Sequence, residues 1–341
     1  NINYVQTHLD PVFDSSHEIK NWIITETDIT QLKLAEKESM EQTLKFVEAY
    51  TDLKKNQDKM EIQTRVLKKM SERLEIGYKQ IKRQNITINQ SLRHAYAIQN
   101  SILPSGDKFD EFANHFVIHK PKDIVSGDFY MMAKLSDASF ISIVADCTGH
   151  GVPGAFMSII GYDILQQTIR FRKLTEPQDI VAQLSKQLIE MLSQKSIQNT
   201  DSIALSVCKF EKMEDKVRAT ISGSCSTVLI QDAASGQLRR IKTSRKSTGA
   251  DSVPNDSKAF GEQVIEIEYG DRIFQFTDGI IDQCNTERKR FGTPRLMGIL
   301  EKSIKTSMSA TGDTLMNSLR SYMKDTKQRD DITILGFSIK K

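Results

Sequence analysis

From residue 31 to residue 103 the chain has no proline and a single glycine, Gly77, and is dense in Glu, Lys, Gln and Leu. Within this stretch Leu53, Met60, Leu67, Leu74, Ile81, Ile88, Ala95 and Ile102 recur every seven residues, and Phe46 and Leu32 extend the series backwards. A strict seven-residue apolar period makes a helix supercoil left-handed with a partner helix. At ~1.5 Å per residue it would run on the order of 100 Å. A chain of 341 residues built around such a helix must fold in parts: 1–30, the helix at 31–103, and a domain at 104–341.

The second seam of the helix is Ala49, Asn56, Gln63, Met70, Gly77, Gln84, Ser91 and Ile98. Polar residues on a seam weaken a coiled coil while fixing its register. The expectation is a parallel homodimer through residues 31–103, marginal enough to switch; the plainer alternative is a constitutive stalk. Thirty preceding residues cannot bury a core. Trp22-Ile23-Ile24-Thr25 reads as a strand, and Asp28-Ile29-Thr30-Gln31 as the cap of the long helix. The segment resembles the last strand of a PAS sensor domain, whose exit into a signalling helix commonly reads Asp-Ile-Thr. That resemblance implies that residues 1–30 are the C-terminal remnant of an upstream sensor.

Net charge is only +3, with 14 Lys/Arg against 9 Asp/Glu in residues 31–103. No basic stripe interleaved with aromatics occurs, which argues against nucleic acid as a partner. Cys147, Cys208, Cys225 and Cys284 lack metal-ligand spacing and fit reduced thiols in the cytoplasm. No apolar run reaches the ~18 residues of a membrane span, and no signal peptide opens the chain. The first residue is not Met, so a cytoplasmic fragment is expected, from a protein that could be membrane-tethered upstream.

Pro104, with Ser105-Gly106, ends the helix. Beyond it, strands are predicted at 115–120, 127–135, 139–146, 202–210, 216–222, 226–231, 263–276 and 332–339. Helices are predicted at 154–171, 177–194, 293–303 and 312–323. Runs of strands broken by helix pairs point to the α+β class, with helices packed outside antiparallel sheets.

The stretch 140–156, FISIVADCTGHGVPGAF, runs from an apolar strand through Asp146 into a Gly-rich loop and a helix. Gly149, Gly151 and Gly154 match the dinucleotide fingerprint G-x-G-x-x-G. Two helical segments follow, however, where a Rossmann unit needs a second strand ending in an acid. Asp146 would also repel a pyrophosphate. Four more acids stand at predicted strand ends: Asp128, Asp278, and the pair Asp330 and Asp331. If they converge, two carboxylates about 4 Å apart repel by roughly 4 kcal/mol at an effective dielectric near 20. Divalent hard cations such as Mg²⁺ or Mn²⁺ relieve this, and two of them sharing a water would activate it for in-line attack on phosphorus. A rival chemistry, the C-x₅-R of Cys284 and Arg290, lacks the small residues of a phosphate cradle and places Glu287 inside it. His150 is a weaker candidate for contact with phosphate; Lys120 and Lys122 read mainly as a solvated strand edge.

Four segments, VSGDFY (125–130), VADCTGHGVPGAFMS (144–158), FTDGIIDQ (276–283) and DDITIL (330–335), resemble in order and spacing the SpoIIE/RsbU type of metal-dependent protein serine/threonine phosphatase, within the PPM superfamily. The resemblance implies an αββα sandwich of two antiparallel sheets flanked by helices, preceded by the long coiled-coil helix. It implies catalytic roles for Asp128, Asp146 and Asp278. It also implies that Asp128, Asp146, Asp278 and one of Asp330 and Asp331, with Asp330 preferred, hold two Mn²⁺ or Mg²⁺ ions, with the Cys147 carbonyl as a further ligand. The substrate it implies is phosphoserine or phosphothreonine on a STAS-domain anti-anti-sigma-type protein, under control of an N-terminal sensor. Two places depart from the family pattern: Ser222-Gly223-Ser224-Cys225-Ser226 replaces an AGxxNP turn, and Asn199-Thr200-Asp201-Ser202 replaces DGMD. They keep open a weakly active or inactive relative that binds phosphoprotein without hydrolysing it. A nucleotide cyclase is the other alternative, without a visible purine pocket.

Overall fold

The computed structural model describes residues 3–104, 110–193, 201–249 and 260–341. Ser105-Gly106 and Asn199-Thr200 of the sequence reading lie outside the described residues. The chain divides into two compact units at residue 85/86.

The first unit opens with β1 (Val5–Phe13) and β2 (Ile19–Asp28), an antiparallel hairpin in which Leu9 pairs with Ile24 and Pro11 with Trp22. The sequence reading expected one strand here. Asp14 makes the turn, its Oδ1 accepting Ser16 N–H at 2.8 Å and Glu18 N–H at 3.1 Å. Asp28 Oδ1 accepts Thr30 N–H at 2.9 Å, the expected cap, and α1 (Thr30–Ile102) follows as one helix. Its heptad residues Leu53, Met60, Leu67 and Leu74 are 65–72% exposed in the single chain. The helix therefore carries an uncovered apolar stripe.

The second unit holds the last turns of α1 and two five-stranded antiparallel sheets. One sheet joins β4 (Phe129–Ser136), β5 (Ser139–Cys147), β6 (Ile203–Lys212), β7 (Lys216–Ser224) and β10 (Gln263–Glu268), in the order β10-β7-β6-β5-β4. The other joins β3 (Ala113–Lys120), β8 (Thr227–Gln231), β9 (Leu238–Lys242), β11 (Arg272–Phe276) and β12 (Ile332–Ile339), in the order β3-β12-β11-β8-β9. The helices α2 (Gly151–Gln166), which ends in a π-helical turn at Gln167–Phe171, and α3 (Pro177–Ser193) cover the first sheet. The short α4 (Gly279–Asp282), α5 (Gly292–Lys302) and α6 (Met308–Met323) cover the second. This is the expected αββα sandwich.

Both faces of the central strands are buried, which explains their near-continuous apolar sequence. On β5, Ile141, Ile143 and Ala145 meet α2 and α3, while Phe140 and Val144 point between the sheets. On β12, Ile332 and Ile334 meet the outer helices, while Leu335, Phe337 and Ile339 point inward. The predicted strand 263–276 is in fact two strands in different sheets. Gly270, at φ +99°, turns the chain between them, and buried Asp271 accepts Glu268 N–H at 3.0 Å. Strand β9 escaped prediction because Arg239, Arg240 and Lys242 hide its period; cations are common on edge strands.

Phe337 is fully buried, 5.4 Å from the Phe210 ring and 6.1 Å from Phe140. Phe337→Ala empties the seam between the sheets and should cost about 3–5 kcal/mol in urea unfolding. A loss below about 1 kcal/mol would show that this seam is not the core.

Candidate active site

The ends of four strands from both sheets meet at one edge of the sandwich. Asp128 immediately precedes β4, Asp146 lies near the end of β5, Asp278 follows β11, and Asp330 and Asp331 precede β12. Antiparallel pairing puts the start of β4 beside the end of β5 (Phe129 with Ala145), and the end of β11 beside the start of β12 (Phe276 with Ile334). The acids are thus brought together by register.

Asp128 is almost wholly buried. Its Oδ2 accepts the Thr277 hydroxyl across the sheet interface at 2.7 Å, and Thr277 Oγ1 in turn accepts Thr333 N–H at 3.0 Å. Thr333 Oγ1 lies 2.9 Å from Nδ1 of His119, an imidazole that burial pushes down to about 4 and so keeps neutral. Burial first, then the Asp146 charge, raises the pKa of Asp128 well above the carboxylate range. Asp146 is pushed up to about 8 by burial, then by the Asp278 and Asp330 charges. Asp278, at the mouth, is raised by the protein packed round it, then by Asp282 and Asp330.

Asp331 is differently engaged. Its Oδ1 accepts Lys122 N–H at 2.7 Å and its Oδ2 accepts Gly127 N–H at 2.6 Å, so both oxygens pin the loop that carries Asp128. Asp330 is exposed and its Oδ1 accepts only the Asp331 N–H among the described hydrogen bonds, at 2.9 Å. The Cys147 side chain is buried, and burial followed by the Asp146 charge raises its thiol pKa. Only its carbonyl fits the role of a hard-cation ligand.

The Gly-rich loop packs backbone on backbone. A Cβ at Gly154 would fall 2.4 Å from Gly149 O and 3.0 Å from Gly127 Cα, so glycine is required for this approach. His150 Nδ1 meets Asp123 Oδ2 at 2.9 Å beside the loop. Thr148 and Ser202 hold the loop from the other side, with Thr148 N–H donating to Ser202 O at 2.9 Å. Cys284 and Arg290 face each other across a tight backbone bridge, and Arg290 Nη1 binds Asp282 at 2.9 Å. That hairpin is no phosphate cradle.

Gln99, near the end of α1, is a residue that sequence reasoning missed. It is buried; its Nε2 donates to Ser126 O at 2.6 Å and to Ser158 Oγ at 2.8 Å, and its Oε1 accepts Ser126 N–H at 3.0 Å. One side chain thus ties α1 to the Asp128 loop and to α2. It lies off both heptad seams, and nothing in the sequence separates it from the polar residues around it.

The donor set is all oxygen, negatively charged and short of compensating cations, which suits Mg²⁺ or Mn²⁺. Among the described residues no three His, Cys, Asp or Glu side chains are placed to enclose one ion together. An ion at this edge would therefore complete its shell with backbone carbonyl and water, as these cations do. A cavity of about 80 Å³ is lined by Asp146 and Asp278 together with Cys225, Ser226 and Thr227.

A carboxyl with a higher pKa in the folded than in the unfolded state favours folding while it is protonated. The stability linked to Asp146 is therefore present at pH 4 and is lost as pH rises towards about 8. Without divalent ions, in EDTA, Asp146→Asn should melt above wild type at pH 8, with the gap closing towards pH 5. Each kcal/mol should appear as about 2–4 °C. Equal melting temperatures across this range would contradict the crowding of charge.

Residues 136–340 match the family model of Stage II sporulation protein E (SpoIIE). No curated protein sequence matches the chain. Among solved structures, the SiaA-PP2C domain of Pseudomonas aeruginosa is similar at a TM-score of 0.64 and 26% identity, over 75% of this chain and 98% of that one. The PP2C phosphatase domain with a regulatory-domain fragment of SpoIIE from Bacillus subtilis is similar at 0.53 and 16%, over 67% of this chain and 63% of that one. The RsbU and RsbW domains of a Mycobacterium tuberculosis protein are similar at 0.52 and 17%, over 67% of this chain and 60% of that one. At the identities of the last two the likeness is one of fold. With a family match across most of the second unit and the same sandwich beneath it, this chain belongs to the SpoIIE family of PP2C-type phosphatase domains.

Proposed function

We propose that the chain is a metal-dependent protein serine/threonine phosphatase acting on a phosphorylated STAS-domain protein. The observation that carries this reading is the set of crowded carboxylates with raised pKa at the meeting of four strand ends. Asp128, Asp146, Asp278 and Asp330, with the Cys147 carbonyl, would hold two Mn²⁺ or Mg²⁺ ions. Such ions neutralise phosphate charge and lower the pKa of water for attack on phosphorus. Asp331 also positions the Asp128 loop, its two oxygens each accepting a backbone N–H, which leaves Asp330 the freer ligand of the pair. Thr277 and Thr333 keep Asp128 aimed.

The exposed heptad stripe supports a homodimer through residues 31–103, and the hairpin at 5–28 supports an upstream PAS-like sensor. Gln99 is then where a signal arriving along α1 reaches the Asp128 loop. No described helix is long and apolar enough to cross a membrane; the cytoplasmic location is part of the proposal. The altered turn at 222–226 supports the second reading, a relative that binds phosphoprotein with little turnover. The family match leaves the nucleotide cyclase without support.

With Mn²⁺, wild type should hydrolyse p-nitrophenyl phosphate and a phosphoserine STAS protein. EDTA should abolish both activities, and Asp128→Asn should lower kcat by 100-fold or more. Turnover indifferent to EDTA would sink the metal reading; metal binding without turnover would favour the binding module. Gln99→Ala unpairs the Ser126 N–H and leaves Ser126 O with only the Ser158 hydroxyl, at 3.2 Å, at a cost of about 1–3 kcal/mol for a buried group left unsatisfied. It should also lower kcat for p-nitrophenyl phosphate with little change in KM, and an unchanged kcat would remove Gln99 from the signalling path.

A further inference from the structure

The part of the cavity wall formed by Cys225, Ser226 and Thr227 is tied to an unusually basic segment. Residues 238–249, LRRIKTSRKSTG, contain five cations and no acid. The ties run from the β7–β8 turn. Cys225 N–H donates to Ser244 O at 2.7 Å, Ser226 N–H to Thr243 Oγ1 at 2.9 Å, and Ser224 Oγ to Lys246 O at 2.7 Å. Cys225 Sγ also donates to Arg245 O at 3.4 Å. On the strands, Thr227 stands directly across from Lys242, and Leu229 from Arg240. Paired residues point to the same face of a sheet, so Lys242 and Arg240 share the face of Thr227, a residue of the cavity wall.

Arg240, Lys242, Arg245 and Lys246 are exposed. None of them forms an ion pair among the described residues. Arg239 is set apart, because its charge acts on Asp232. Four cations with no ion pair among the described residues are thus held by backbone hydrogen bonds beside a site whose own side chains are acidic. Their charge is not engaged by the acids through any ion pair among the described residues. It is free to meet a ligand that spans from the cavity outwards.

We propose that Arg240, Lys242, Arg245 and Lys246 form a docking rim that binds acidic side chains flanking the phosphorylated residue, so that the domain selects acidic phosphoprotein surfaces. This rests on the phosphatase reading above and adds to it the charge of the preferred substrate. Clustered cations raise the local concentration and on-rate of anionic partners, and salt screens the effect. The segment is hydrogen-bonded to the turn that departs from the family pattern, which places substrate choice and the altered turn in one structural unit.

The test uses the full chain with Mn²⁺ and three substrates: p-nitrophenyl phosphate, a phosphoserine peptide flanked by Asp and Glu, and the same peptide flanked by Ala. Wild type should prefer the acidic to the neutral peptide by at least tenfold in kcat/KM, and 0.5 M NaCl should shrink that ratio. In the triple variant Lys242→Gln, Arg245→Gln, Lys246→Gln, the ratio of acidic-peptide to p-nitrophenyl phosphate turnover should fall at least tenfold. Fluorescence anisotropy of the labelled acidic peptide, which needs no turnover, should show the same loss of binding even if hydrolysis fails with every substrate. Equal use of the two peptides by wild type that does hydrolyse p-nitrophenyl phosphate would overturn the rim and leave the phosphatase standing. A uniform loss on all three substrates in the variant would also overturn it. So would a rim that sediments phosphatidylserine vesicles yet shows no preference between the peptides.

Discussion

The hydrogen bond from Thr277 to Asp128, 2.7 Å long and buried between the sheets, is the contact on which the site depends. Thr277 directly follows β11 of one sheet and Asp128 directly precedes β4 of the other, so the bond fixes the two strand ends against each other. Two further buried ties set the same registration deeper in the sandwich. Ser142 Oγ donates to Gln275 Oε1 at 2.5 Å, and Gln275 Nε2 donates to Ser206 Oγ at 2.8 Å. Slippage between the sheets would leave these polar groups unpaired in a low-dielectric seam, where an unsatisfied group costs about 1–3 kcal/mol. The aromatic packing of Phe140, Phe210 and Phe337 supplies the bulk of the seam; the polar ties supply its alignment.

That alignment forces together carboxylates that would otherwise separate. Burial and mutual repulsion both raise the pKa values of Asp128 and Asp146, a state no fold adopts for stability. Sites that violate local electrostatic preference are where function is expected. The surrounding devices all resist the strain. Asp331 pins the Asp128 loop through Lys122 and Gly127, glycine contacts seat the 149–154 loop, and Gln99 braces Ser126 from α1.

Much of this was legible in the sequence. Apolar strands stopped by Asp146 and Asp278 read directly as strand ends, and the proline-free heptads read as one helix. The family resemblance then grouped acids that lie up to 203 residues apart, from Asp128 to Asp331. What escaped reading was whatever depends on a partner distant in sequence. Gln99 and Asp123 look like ordinary surface residues until the fold sets them against Ser126 and His150. Residues 263–276 look like one strand because both halves alternate correctly; only the turn at Gly270 sends them into different sheets. Asp330 and Asp331 are equivalent as letters, and hydrogen bonding to the 122–127 loop is what separates them.

The central claim is that carboxylates from both sheets form one divalent-cation site. Calorimetric titration of Mn²⁺ into the metal-free chain at pH 7.5, beside Asp146→Asn, tests it most directly. Two ions should bind per wild-type chain, with proton release from the raised carboxyls, and at least one should be lost in the variant. Identical binding curves for the two proteins, or no binding to wild type, would contradict it.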